Sequence, residues 1–91
     1  MTHEVNQKIP ALNPHFRLQW EPAQESHVLL YPEGMVQLNG PASEILTRID
    51  GIHSVAQIVD QLQKNFPEAD DLADDVEAFL VDAHEQNWIT L

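Results

Sequence analysis

The chain has 91 residues, 43% of them hydrophobic, no cysteine, and fifteen acidic against four basic side chains, for a formal net charge of −11. This length holds one domain. The missing thiols exclude a disulfide framework, a thiolate zinc site and a cysteine nucleophile, and no apolar run reaches the roughly 18 residues of a membrane span. A nucleic-acid binder neutralises phosphates with Lys and Arg. A chain whose only such residues are Lys8, Arg17, Arg48 and Lys64 is repelled by polyanions. The acidity serves solubility, or a surface that meets a basic or polar partner.

Residues 1–14 contain Pro10 and Pro14 and show no sustained periodicity, so they read as a flexible N-terminal tail ahead of a domain over 15–91. The opening MTHEVNQKIPALNPHF lacks the charged start and apolar centre of a signal peptide, and a cytoplasmic location is expected. Phe16, Leu18 and Trp20 then alternate with Arg17, Gln19 and Glu21, the period of a half-buried strand. After a loop over 22–26, His27 to Tyr31 is apolar on both faces, as a central strand is. Pro32-Glu33-Gly34 predicts a tight turn, with proline fixing φ and glycine accepting positive φ. It delivers a third strand over Met35–Leu38, with Val36 and Leu38 on one face and Met35 and Gln37 on the other.

From Asn39 the period becomes helical. Asn39-Gly40-Pro41 is a helix start. Ala42, Ile45, Leu46 and Ile49 share a face, and Asp50-Gly51 is expected to end the helix. Ser54-Val-Ala-Gln57 has the form of a capping box for a second helix with Val55, Ile58, Val59 and Leu62 inward, ended by Pro67. Acids at 68, 70, 71, 74 and 75 suit the start of a third helix. Its apolar stripe is Leu72, Val76, Phe79, Leu80 and Ala83, and Asn87 can adopt the left-handed conformation that ends it. Trp88, Ile89 and Leu91 fold back as an apolar clamp or a short strand. The fold class is α+β: a three-stranded antiparallel meander followed by three helices, winged-helix-like.

Chemistry-bearing patterns are sparse. The five histidines show no metal-ligand spacing, and the acids at 70–75 lack the spacing of a calcium loop. Ser26 and Ser43 have no activating context, Ser54 is explained by capping, and three glycines make no phosphate loop. No enzyme, metal site or cofactor is expected. A winged helix that reads DNA places a basic helix in the major groove. Here the third helix carries Asp71, Asp74, Asp75, Glu77, Asp82 and Glu85 and no Lys or Arg, which excludes that role. An acidic carrier protein with a modified serine is excluded by the sheet-first order and by His53-Ser54-Val55 around the serine. What remains is protein interaction. An open strand edge is a template for an added strand, and Met35–Leu38 is the last strand of the meander unless Trp88–Leu91 covers it.

The run FRLQWEPAQESHVLLYPEGMVQLNGPASEILTRIDG, followed by VAQIVDQL and VEAFLVDAHEQNWI, resembles the PqqD family of pyrroloquinoline quinone biosynthesis. The resemblance extends from about Pro14 to the end, and LLYPEGMVQLN is its most specific part. Family members often have glycine before the final Trp, where this chain has Asn87. The resemblance implies a peptide chaperone of the RiPP recognition element type. Such a protein binds the precursor peptide PqqA and presents it to the radical SAM enzyme PqqE, which cross-links a Glu and a Tyr side chain. It also implies strand addition along Met35, Val36, Gln37 and Leu38, with Leu72, Val76, Phe79 and Ala83 as the helix wall. The alternative is a winged-helix interaction module of another pathway, without DNA binding. An open apolar edge also leaves a homodimer available.

Overall fold

Three antiparallel strands form the meander that the alternation predicts. A computed structural model describes residues 6–91, and in it β2 (Arg17–Glu21), β3 (Ser26–Tyr31) and β4 (Gly34–Gln37) form one sheet in that order. Val28 and Leu29 of the central strand are fully buried, so both faces of β3 are covered at its middle. The Pro32-Glu33 turn leaves Tyr31 opposite Gly34 and fixes the register Leu30–Met35, Leu29–Val36 and Val28–Gln37. Gly34 itself sits close to extended, at φ 158°. Trp20 departs from its expected inward face. It lies at the end of the sheet, half-exposed, with its ring edge-on to His27, 5.2 Å between centroids.

The first two helices begin where their caps predict. The Asn39 side chain accepts from the Ala42 amide at 2.8 Å and starts α1 (Gly40–Leu46). This helix stops at Thr47, earlier than Asp50-Gly51, and continues as tight turns in which Arg48 and Ile49 donate to Ile45 and Leu46. Ser54 and Gln57 form both halves of the capping box of α2 (Val55–Asn65). In α3 (Leu72–Glu85) the acids Asp74 and Asp75 occupy the first turn. Asn87, at φ 66°, ends it: Trp88 donates to Ala83 and Asn87 to His84, the paired bonds of a left-handed helix stop. Ala42, Ile45, Leu46, Val55, Ile58, Leu62, Val76, Leu80, Ala83 and Ile89 are buried together with Leu38 as one core.

The segment expected to be a flexible tail is partly structured. Residues 1–5 lie outside the described residues, but β1 (Ala11–Leu12) pairs antiparallel with β5 (Ile89–Thr90). Pro10 is buried, Val55 donates to the Lys8 carbonyl, and Asn13 donates to the Trp88 carbonyl, both at 2.9 Å. Two residues between prolines carry too little pattern to announce a strand, and long-range backbone bonding supplies what local periodicity does not.

The link between α1 and α2 is closed by Asp50. One carboxylate oxygen accepts from the His53 and Ile52 amides, each at 2.9 Å, and the other meets the His53 ring at 2.6 Å. These bonds, the His53 amide foremost, lower its pKa from 3.8 to about 2.

Two outcomes follow from this packing. Leu80→Ala, at a fully buried site, costs about 2–5 kcal/mol; urea unfolding measures it, and a cost below about 1 kcal/mol contradicts the core assignment. Asp50→Ala lowers thermal stability at pH 6. Because the folded pKa is depressed, the stabilising contribution is present above the unfolded value and is lost as pH falls from about 4 to about 2. The difference in melting temperature between wild type and D50A therefore shrinks across that window.

Candidate functional site

The antiparallel ladder decides which peptide groups of β4 are free. Leu38 donates to the His27 carbonyl at 3.1 Å, so Leu38 and His27 are a hydrogen-bonded pair. In such a ladder every second residue turns its N–H and C=O to the same neighbour. Val36, opposite Leu29, therefore bonds to β3, and Met35 and Gln37 turn theirs to the open side. Trp88–Leu91 does not cover this edge, since β5 is paired with β1. Among the described residues no strand lies beyond β4.

Side chains alternate at right angles to that edge. Met35 is 48% exposed and Gln37 is exposed, whereas Val36 is half-buried and Leu38 is buried in the core. Both the amide and the side chain of Leu38 are thus engaged inside the domain, and of the four strand residues only Met35 and Gln37 offer free backbone groups. On α3, Leu72 and Phe79 are half-buried against the core and keep part of their apolar surface outside. Val76 and Ala83 are each 1% exposed. They belong to the core, so as a side-chain wall the four helix positions reduce mainly to Leu72 and Phe79.

The sheet has a second edge, β2, and its chemistry differs. Arg17 and Glu21 stand at its two ends, and Gln19 donates to the Glu21 carboxylate at 2.8 Å. Charges on an edge strand discourage pairing with another chain. The edge of β4 carries none. The outer face of α3, with Asp74, Asp75, Asp82 and Glu85 exposed, repels phosphate.

Sequence reasoning did not single out an apolar cavity of about 480 Å³ beside the start of α1, where Pro41, Ile45, Leu62, Phe66, Leu72 and Val76 meet. Its only sequence sign is Phe66, a bulky apolar residue just past the periodic face of α2 and directly before Pro67.

An α+β domain with a three-stranded meander ahead of three helices, an acidic third helix and an uncharged open strand edge is a protein-binding module in class. Comparison with known proteins narrows this. Residues 26–89 match the family model "Coenzyme PQQ synthesis protein D (PqqD)". The chain is 53% identical over 85 residues to the "PqqA binding protein" of Pseudomonas entomophila, covering 93% of each. It is 52% identical over 91 residues to the protein of the same description from Azotobacter vinelandii, covering 100% of this chain and 99% of that one. It also superposes with a TM-score of 0.77 and 26% identity on the solution structure of the PqqD truncation of Methylobacterium extorquens PqqCD, covering 94% and 93% of the two chains. That structure is described as a functional, stand-alone RiPP recognition element. The chain belongs to the PqqD family.

With β4 open, the amides of Met35 and Gln37 exchange with solvent at least roughly tenfold faster than those of Val36 and Leu38. Residue-resolved hydrogen exchange checks this, and equal protection along the strand contradicts an open edge.

Proposed function

We propose that this protein is a peptide chaperone of pyrroloquinoline quinone biosynthesis. It binds the precursor peptide PqqA as a strand added to β4 and presents it to the radical SAM enzyme PqqE. The observation that carries this reading is the outward-facing pair of peptide groups at Met35 and Gln37 on an uncharged edge. Family membership and the description of its relatives as PqqA-binding proteins support the choice of ligand. Backbone bonds supply affinity that is independent of sequence. Alternate side chains of the peptide, resting on Val36, Leu72 and Phe79, supply selectivity. The role is binding rather than catalysis, in the cytoplasm, and residues 15–91 carry it with support from the paired segment at 11–12.

The test is an NMR titration of the labelled protein with PqqA. Amide shifts are expected to concentrate at Met35–Leu38 and Asp71–Ala83; changes confined to β2 and α2 would reject the site. Gln37→Pro removes an outward donor and is expected to weaken binding about tenfold with the fold intact. Unchanged calorimetric affinity in that variant rejects strand addition. Calorimetry repeated with PqqE present tests presentation, for which a ternary complex is the expected outcome.

A further inference from the structure

The apolar cavity is continuous in sequence with the proposed strand site. Gly40 and Pro41, on its wall, begin three residues after Gln37, and Leu72 and Val76 form its side on α3. The loop that follows α2 and lines the cavity is hydrogen-bonded. Phe66 donates to the Leu62 carbonyl at 2.8 Å and Ala69 to the Phe66 carbonyl at 3.1 Å. The Gln63 side chain donates to the Phe66 and Ala69 carbonyls at 3.2 and 3.4 Å. The Phe66 side chain is nevertheless 43% exposed, so a bulky apolar ring stands at the opening without a cover.

The polar part of the lining is acidic. Glu44 is paired with Arg48 at 2.8 Å. Asp75 lies in the first turn of α3 and forms no ion pair among the described residues. An apolar floor with an unpaired carboxylate at its margin is complementary to a large apolar side chain accompanied by a cation. It suits neither a polyanion nor an acidic segment.

Resting on the strand-addition reading, we propose that this cavity is the anchor subsite for the bound peptide. A bulky apolar residue beyond the stretch paired with β4, at the Gln37 end, inserts between α1, α2 and α3. A neighbouring Lys or Arg of the peptide meets Asp75. The bound segment is therefore an extended stretch followed, or preceded, by an apolar–basic anchor, and the register of the added strand is set by the cavity rather than by the edge, whose backbone groups repeat along the strand.

Calorimetry of PqqA with wild type, Phe66→Ala, Ala69→Trp, Asp75→Asn and Gln37→Pro tests the subsite, with melting temperatures to confirm folding. Removing the ring at the opening and filling the cavity are each expected to weaken binding roughly tenfold. D75N is expected to weaken it less and to flatten its salt dependence. The assignment is strengthened further if alanine at one bulky residue of the peptide costs affinity in wild type but not in F66A. If F66A and A69W bind like wild type while Q37P is weakened, the cavity is not the anchor and strand addition stands. If wild type fails to bind the peptide at all, the strand-addition reading falls and the subsite with it. If A69W instead converts a dimer seen by sedimentation into a monomer without changing peptide affinity, the occupant is a second copy and the proposal is overturned.

Discussion

The pairing of β1 with β5 decides what the rest of the domain can do. A C-terminal strand that follows α3 could close the meander by lying along β4. Instead the N-terminal segment takes it, through the Ala11–Thr90 and Leu12–Ile89 register and the Asn13 bond to Trp88. The three-stranded sheet is left with β4 at its margin, and the hydrogen bond from Leu38 to His27 sets which peptide groups of that strand look outward. The same clamp anchors the end of α3, because Trp88 also donates to Ala83 in the helix stop at Asn87. This small antiparallel pair thus fixes the end of α3, while β4 is held by β3 alone.

Charge then separates this domain from winged-helix DNA readers. In a major-groove reader the third helix brings cations to phosphate. Here it brings carboxylates, and the core needs only its inner stripe of Val76, Leu80 and Ala83. The outer face was free to become acidic without cost to packing. An uncharged strand edge in a domain with so acidic a helix favours a partner that supplies backbone hydrogen bonds, apolar side chains and positive charge.

Much of this architecture was legible in the sequence because it is local. The strand read from the alternation after Phe16, the apolar run at His27–Tyr31, the cap at Asn39 and the Ser54–Gln57 box each act within a few residues and appear where expected, although Trp20 at the strand's end turns outward. Membership of the PqqD family was legible in the same stretches. What was not legible depends on distant contacts. The strand at Ala11–Leu12 exists only because residues 89–90 meet it. The end of α1 at Thr47 reflects turns that compete with the helix before Gly51 is reached. The stripe on α3 could not by itself divide core from wall, since Leu72, Val76, Phe79 and Ala83 share one period; packing buries Val76 and Ala83 and leaves Leu72 and Phe79 half-covered. The cavity is assembled from the ends of three helices, and no single segment records it.

In the proposed binding mode, β4 accepts a strand of another chain through Met35 and Gln37. Scalar couplings across hydrogen bonds, measured on isotope-labelled protein bound to labelled PqqA, test it at the bond itself. Couplings that link the Met35 and Gln37 amides to peptide carbonyls, absent in the free protein, are the expected result. A saturated complex in which neither amide is coupled to the peptide, or in which the couplings fall on β2, would contradict it.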